Sequence, residues 1–247
     1  MNRRYISKIQ IQEIEDHSYI NDLPIVKNLL KLKELSFDHD VIFFVGENGT
    51  GKSTLIKAIA VKAGFNAEGG SKNFDFETKN TVSNLYQYLT ISKKDYEKDG
   101  FFLRAESFYN VASQVDELYE DEFKANAPTS FGNISLHNQS HGESFLALVQ
   151  NRFFGQGLYI LDEPEAALSP SRQMTLLVEF DRLVKQKSQL IIATHSPILL
   201  SYPGAIIYQI TTDGIEQVCY DDCEHVTLMK EYLNHPERML KYLLEDE

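Results

Sequence analysis

The nine residues Gly46-Glu47-Asn48-Gly49-Thr50-Gly51-Lys52-Ser53-Thr54 satisfy the pattern G-x-x-x-x-G-K-[ST] without a mismatch. Each residue type has a task in holding a polyphosphate. Gly46, Gly49 and Gly51 let backbone N–H groups converge on phosphate oxygens at a helix N-terminus. Asn48, Thr50 and Thr54 belong to the same expected contact set. Lys52 brings a full positive charge toward the β- and γ-phosphates, and the Ser53 hydroxyl can ligate Mg²⁺. The pattern carries this meaning only between a strand and a helix. Here Val41–Val45 is an apolar run of strand length, and Leu55, Ile56, Ala58 and Ile59 continue as a helix. A nucleoside triphosphate is therefore the expected ligand, and no N-K-x-D guanine-reading motif follows.

A second group of chemical residues ends another apolar run, Leu158-Tyr159-Ile160-Leu161-Asp162-Glu163. An aspartate at the C-terminal end of a strand can hold the water shell of Mg²⁺, which assigns Asp162. Glu163, one residue on, is placed to orient or deprotonate an attacking water. Two carboxylates closing a buried strand are costly unless a cation or hydrogen bonds compensate them. The next apolar run, Leu190–Ala193, ends at Thr194-His195-Ser196-Pro197, and the same sheet edge would aim His195 at the γ-phosphate as a hydrogen-bond donor.

The elements that must position these groups read as an α/β chain. Ser7–Gln12 alternates with period two, as a half-buried strand does, and Val26–Leu35 reads as a short amphipathic piece. Gly64 is placed to cap the helix after the glycine loop. A helical middle is expected around Val82–Leu89, a buried strand at Phe101–Ala105, a helix through Phe108, Val111, Val115 and Leu118, and a loop over Ala125–Asn138. Phe145, Leu148 and Val149 repeat at helical spacing, and Ser169-Pro170 is an N-cap followed by a proline at the first helical position. That helix carries Met174, Leu177, Leu183 and Val184. A last strand is expected at Ala205–Tyr208 and a short helix from Pro236. Apolar strands alternating with helices predict a mainly parallel sheet covered on both faces.

Composition bounds the rest. With 247 residues, 43% of them hydrophobic, the chain can bury a sizeable core. No apolar run approaches the roughly 20 residues of a membrane span, and MNRRYISKIQ has no apolar signal core, so a cytoplasmic protein without a membrane partner is expected. Cys219 and Cys223 lack the further ligands of a zinc site and read as reduced thiols. A net charge of −12 argues against blanket attraction to nucleic acid. Lys72, Lys79, Lys93, Lys94 and Lys98 read as a solvated face rather than a basic patch.

In the order of its motifs the chain resembles the ABC-type ATPases: GENGTGKST as Walker A, Ser140-His141-Gly142-Glu143-Ser144 as a variant of the L-S-G-G-Q signature, LYILDEP as Walker B, and His195 as the switch histidine. The stretches SLHNQSHGESF, GLYILDEPEAALSP and IIATHSPILLSYPGA further resemble the small stand-alone bacterial "AAA family ATPase" proteins, similar to the heads of chromosome-maintenance and recombination-repair proteins. The resemblance implies a single ABC-type domain over 1–247. It would have an N-terminal antiparallel β portion and an insert with a small helical subdomain at about 66–140. It also implies ATP and Mg²⁺ as ligands, and hydrolysis in an ATP-dependent head-to-tail homodimer that presents Ser140, Gly142 and Glu143 to the partner's nucleotide. Lys52, Glu163 and His195 would be the catalytic set, with Ser53 and Asp162 on Mg²⁺. Two positions depart from the family. Ser169 stands where the D-loop aspartate is expected, and Glu106 where the Q-loop glutamine is, as a carboxylate for Mg²⁺ or as a helix-start residue. No adenine platform is assigned: Tyr5 and Tyr19 are the candidates, and packing is the favoured reading of either. The implied role is a conformational switch in DNA repair or defence against foreign DNA. The alternatives are a regulatory module controlling a separate effector protein, or an ATP-binding subunit of a transporter.

Overall fold

The computed structural model describes residues 5–14, 19–72, 83–106, 108 and 141–244. Its strands are β1 (Ile6–Ile11), β2 (Glu34–Ser36), β3 (Val41–Gly46), β4 (Leu89–Lys93), β5 (Asp99–Arg104), β6 (Gly157–Asp162), β7 (Gln189–Ala193), β8 (Ile206–Ile210) and β9 (Ile215–Val218). They form two sheets. The larger has the order β5-β6-β7-β3-β8-β9, parallel except for β9, and the smaller is antiparallel with the order β2-β1-β4.

The uniform apolarity of β3, β6 and β7 follows from their central place, since every residue in them is buried. Alternation sends Ile42 and Phe44 into one apolar layer, and Val41, Phe43 and Val45 into the other. The first layer is closed by the helix Lys52–Ala63, the helix Pro24–Leu32 and the antiparallel sheet. The second is closed by the helices His141–Arg152, Pro170–Lys185 and Pro197–Leu200. Strands covered on both faces need no polar side, which is why the sequence pattern predicts a parallel sheet.

Gln189 ties the two sheets together. It is fully buried at the start of β7; its Oε1 accepts from the N–H groups of Tyr5 (3.0 Å) and Ile6 (2.8 Å), and its Nε2 donates to the Ile6 carbonyl (2.8 Å). Losing that amide would orphan buried backbone groups at about 1–3 kcal/mol each.

Several expectations need correction. Val26–Leu35 is two elements, because Lys33 adopts φ 63° and ends the helix Pro24–Leu32 before β2 begins. The helix around Val82–Leu89 is confined to Leu85–Tyr88, and Leu89 opens β4, drawn into pairing by β1. Ser169 occupies the N-cap position but makes no capping bond; its Oγ lies 3.2 Å from that of Ser171. Met174 faces outward, while Gln173, Leu176, Phe180 and Leu183 form the buried stripe. Tyr5 is packed in the core with its hydroxyl donating to the Lys187 carbonyl, so it offers no adenine platform; Tyr19 is exposed. Lys72 and Lys93 are both paired with Glu97. Gly64 does cap its helix, with φ 99°, and Cys219 and Cys223 are free thiols. Lys79, the loop over 125–138 and the helix beyond Phe108 lie outside the described residues.

Candidate functional site

The glycine loop joins β3 to the helix Lys52–Ala63. Gly46 pairs with Ile210 of β8, and a Cβ on it would sit 2.3 Å from the Ile210 carbonyl oxygen. Gly51 caps the helix at φ 93°, where a Cβ would lie 2.4 Å from Cγ2 of Ile25. The helix Pro24–Leu32 thus clamps the loop from outside. Ile25 N–H donates to the Thr50 carbonyl (3.0 Å), and the Thr50 hydroxyl donates to the Glu47 carbonyl (2.8 Å). The sequence reading missed this clamp. The loop frames a pocket of about 210 Å³ lined by Asn48, Gly49, Gly51, Lys52, Ser53 and Thr54, with Glu163 opposite. The first-turn N–H groups of a helix lack intrahelical acceptors and suit an anion there. Lys52 is buried and folded back on the loop, its Nζ donating to the carbonyls of Gly46 (2.7 Å) and Glu47 (2.9 Å). Burial lowers its pKa, against the opposing pull of Glu163, Asp162, Glu47 and Glu165.

Sheet register builds the acidic side. Arg104 of β5 lies opposite Asp162 of β6, which lies opposite Ala193 of β7. Burial pushes the Asp162 carboxyl up in pKa, while the Arg104 guanidinium and the Ser53 hydroxyl hold it down. Its Oδ1 is buried without a hydrogen-bond partner among the described residues. An orphaned carboxylate oxygen beside a serine hydroxyl is a hard-oxygen donor set that fits Mg²⁺. Arg104 reaches Asp162 Oδ2 at 3.5 Å and Glu106 Oε2 at 2.7 Å, so the largely exposed Glu106 side chain is held by Arg104. Glu163 takes the left-handed conformation (φ 53°), pinned by its N–H bond to the Ala193 carbonyl. Such a conformation is uncommon outside glycine and asparagine and persists only where the surroundings fix it.

His195 follows β7 after Thr194. Its Nε2 is 3.7 Å from Glu163 Oε1, and its backbone N–H donates to Glu165 Oε1 (2.5 Å). Its Nδ1 lies 3.0 Å from Nε2 of His225, in the helix Glu224–Asn234. Burial, then the positive charge of Lys52 and the His225 ring, lower its pKa to about 4. Burial raises the Glu165 carboxyl. Neither Glu165 nor His225 was picked out from the sequence. Glu165 had a local signal in lying just past the paired carboxylates. His225 had none.

The structure therefore brings Lys52, Ser53, Asp162, Glu163 and His195 to one end of the parallel sheet. Ser140 lies outside the described residues. Gly142 and Glu143 open the helix His141–Arg152 and do not line the glycine-loop pocket. Gly142 is packed so that a Cβ would fall 2.7 Å from Arg172 Nη1, and Glu143 Oε1 accepts from Arg172 Nη2 (2.8 Å). Among the described residues no helix is long and apolar enough to cross a membrane.

This geometry can grip a polyphosphate and set a carboxylate and an imidazole at its far end. Residues 75–201, just over half of the chain, match the family described as "AAA domain, putative AbiEii toxin, Type IV TA system"; the glycine loop precedes the matched span. The chain is 27% identical over 180 residues to the xylose/arabinose import ATP-binding protein XylG of Sulfolobus acidocaldarius, covering 64% of this chain and 68% of that protein. Among solved structures it is similar to cbiO1 of Clostridium perfringens, part of the ABC transporter complex cbiONQ, with 17% identity, 95% of this chain and 97% of that one covered, and a TM-score of 0.53. It is also similar to the SMC head domain of Thermotoga maritima, with 16% identity, 87% and 100% covered, and a TM-score of 0.46. The chain belongs to this AAA-domain family and is an ATPase built on a P-loop nucleotide-binding core, with a fold shared with ATP-binding proteins of ABC transporters.

Proposed function

We propose that the chain hydrolyses ATP with Mg²⁺ as a head-to-tail dimer, serving as a conformational switch in DNA repair or in defence against foreign DNA. The observation that carries the chemistry is the convergence of Lys52, Asp162, Glu163 and His195 at one end of the parallel sheet, with Lys52 and Glu163 lining the glycine-loop pocket. Lys52 exchanges its two loop carbonyls for phosphate oxygens. Ser53 and Asp162 would hold Mg²⁺, which supplies positive charge against the phosphates in a site already crowded by Glu47, Asp162, Glu163 and Glu165. Glu163 orients the attacking water and takes its proton, and His195 offers an N–H to the γ-phosphate. The signature residues Gly142 and Glu143 stand away from the pocket of their own chain, which favours a second copy as the source of the missing donors.

Glu163→Gln tests this. ATP binding should persist while turnover falls roughly 100-fold or more, and an ATP-bound dimer should accumulate in light scattering. Wild-type turnover would remove Glu163 from the mechanism. The trapped protein should also shift duplex or single-stranded DNA at low salt, with binding lost steeply as salt rises.

A second reading, a regulatory module that controls a separate effector protein, is favoured by one feature. A groove of about 730 Å³, lined by Met174, Leu177, Ile198, Met229 and Leu233, includes His195 in its wall, so an occupant could act on the site directly. Absence of any DNA shift by the trapped dimer would put this reading first. Transport, which the names of two similar proteins carry, is the weakest reading, because Glu106 stands in the Q-loop position and the signature is altered.

A further inference from the structure

We propose that His225 is a positioning residue that fixes the tautomer and orientation of His195, so that Nε2 of His195 carries the proton offered to the γ-phosphate. The proposal rests on the reading of His195 as a phosphate donor. The 3.0 Å separation between His195 Nδ1 and His225 Nε2 requires one proton between them. With His195 uncharged, two arrangements are possible, and they place opposite chemistry on the far side of its ring.

In the first, His225 Nε2–H donates to His195 Nδ1, and the His195 proton sits on Nε2. In the second, His195 Nδ1–H donates to His225, and His195 Nε2 is a bare lone pair that can offer phosphate nothing. The surroundings of His195 Nε2 select the first. His195 Nε2 is buried without a hydrogen-bond partner among the described residues and lies 3.7 Å from Glu163 Oε1. An N–H there is attracted to the carboxylate, whereas a lone pair is repelled by it. Either arrangement leaves one buried N–H without a hydrogen bond, on His195 Nε2 or on His225 Nδ1, but only the first sets that N–H beside a carboxylate. The logic is that of metal-bound histidines, whose second nitrogen is held by a partner that fixes tautomer and ring angle.

Position adds a consequence. His225 is the second residue of the helix Glu224–Asn234, and Val226, Met229 and Leu233 of that helix line the same groove as His195. The ring that sets the His195 tautomer is thus carried by an element with an apolar surface open to solvent.

The test uses the full chain. In ¹⁵N-histidine NMR of the nucleotide-free wild type, His195 should show its proton on Nε2. His225→Leu removes the donor and should lose that single tautomer, while His225→Gln, whose amide can donate from a similar place, should keep it. Kinetically, His225→Leu should lower kcat about tenfold with KM changed less than about twofold, and Gln should restore most of the loss. In a His195→Ala background His225→Leu should cost nothing more. A proton on Nδ1 in the wild type would overturn the proposal. So would an unchanged tautomer and kcat in His225→Leu, Gln proving as damaging as Leu, or a further tenfold loss in the His195→Ala background. Wild-type turnover by His195→Ala would overturn the donor role itself; the NMR arm, which needs no turnover, tells that failure from a failure of His225.

Discussion

Gly51→Ala separates two constraints that meet at one atom. The first is backbone conformation: at φ 93° an alanine is held in a region disfavoured for L-residues, costing about 1–2 kcal/mol. The second is packing, because the new Cβ would fall 2.4 Å from Ile25 Cγ2, where ordinary contact begins a full ångström farther out. Ile25 is fully buried and its N–H is bonded to the Thr50 carbonyl, so it cannot easily move aside. Overpacking of this kind costs about 1–3 kcal/mol. Together they predict a loss of about 2–5 kcal/mol, read as a drop in Tm of roughly 5–15 °C for a chain of this size. The assay is reversible urea unfolding of Gly51→Ala, Ile25→Ala and the double variant. Ile25→Ala alone should cost about 2–5 kcal/mol through the cavity it leaves. In the double variant the clash has no partner, so the two losses should fall short of additivity by about 1–3 kcal/mol. Additivity within about 0.5 kcal/mol, or a wild-type Tm for Gly51→Ala, would refute the view that the helix Pro24–Leu32 clamps the loop.

Other outcomes follow from the proposed mechanism. Lys52→Ala and Ser140→Arg should each be inactive alone, yet mixing them should return about a quarter of wild-type activity, because half the dimers are mixed and each of those has one intact site; normal hydrolysis by Ser140→Arg alone would end the head-to-tail model. Asp162→Asn should raise the Mg²⁺ needed for half-maximal nucleotide binding at least about tenfold, and metal-free ATP should bind better as a negative charge leaves the site; unchanged Mg²⁺ dependence would take Asp162 off the metal. His195, with a folded pKa of about 4 against 6.5 when unfolded, should remain uncharged in the native protein to about pH 4. Between those values the unfolded chain binds the extra proton, so the stability this residue contributes is fully present above about pH 6.5 and lost as pH falls toward 4. His195→Asn should flatten that limb, and an NMR titration of His195 centred near 6.5 would contradict it.

The sequence alone determined what is local or period-bound. The glycine loop is legible because phosphate binding demands small residues and a lysine at fixed spacing. β3, β6 and β7 are legible because a strand covered on both faces has no polar side. That Asp162, Glu163 and His195 come together was legible because they follow the ends of such strands, and a parallel sheet gathers what its strand ends carry. What lies between elements had no such signal. Gln189 reads as an ordinary polar residue before a strand, and only the docked N-terminal strand shows its amide bonding Tyr5 and Ile6, more than 180 residues away. β4 escaped because a strand beside an antiparallel partner takes its shape from pairing rather than from its own run Leu89-Thr90-Ile91-Ser92-Lys93. Ile25 and Gly51 meet through a helix packed from outside the motif. His225 sits on an amphipathic helix that the sequence reading did not pick out, and no spacing rule ties it to a histidine 30 residues earlier. Which nitrogen of His195 carries the proton depends on tertiary packing, since a tautomer depends on the neighbour that folding supplies.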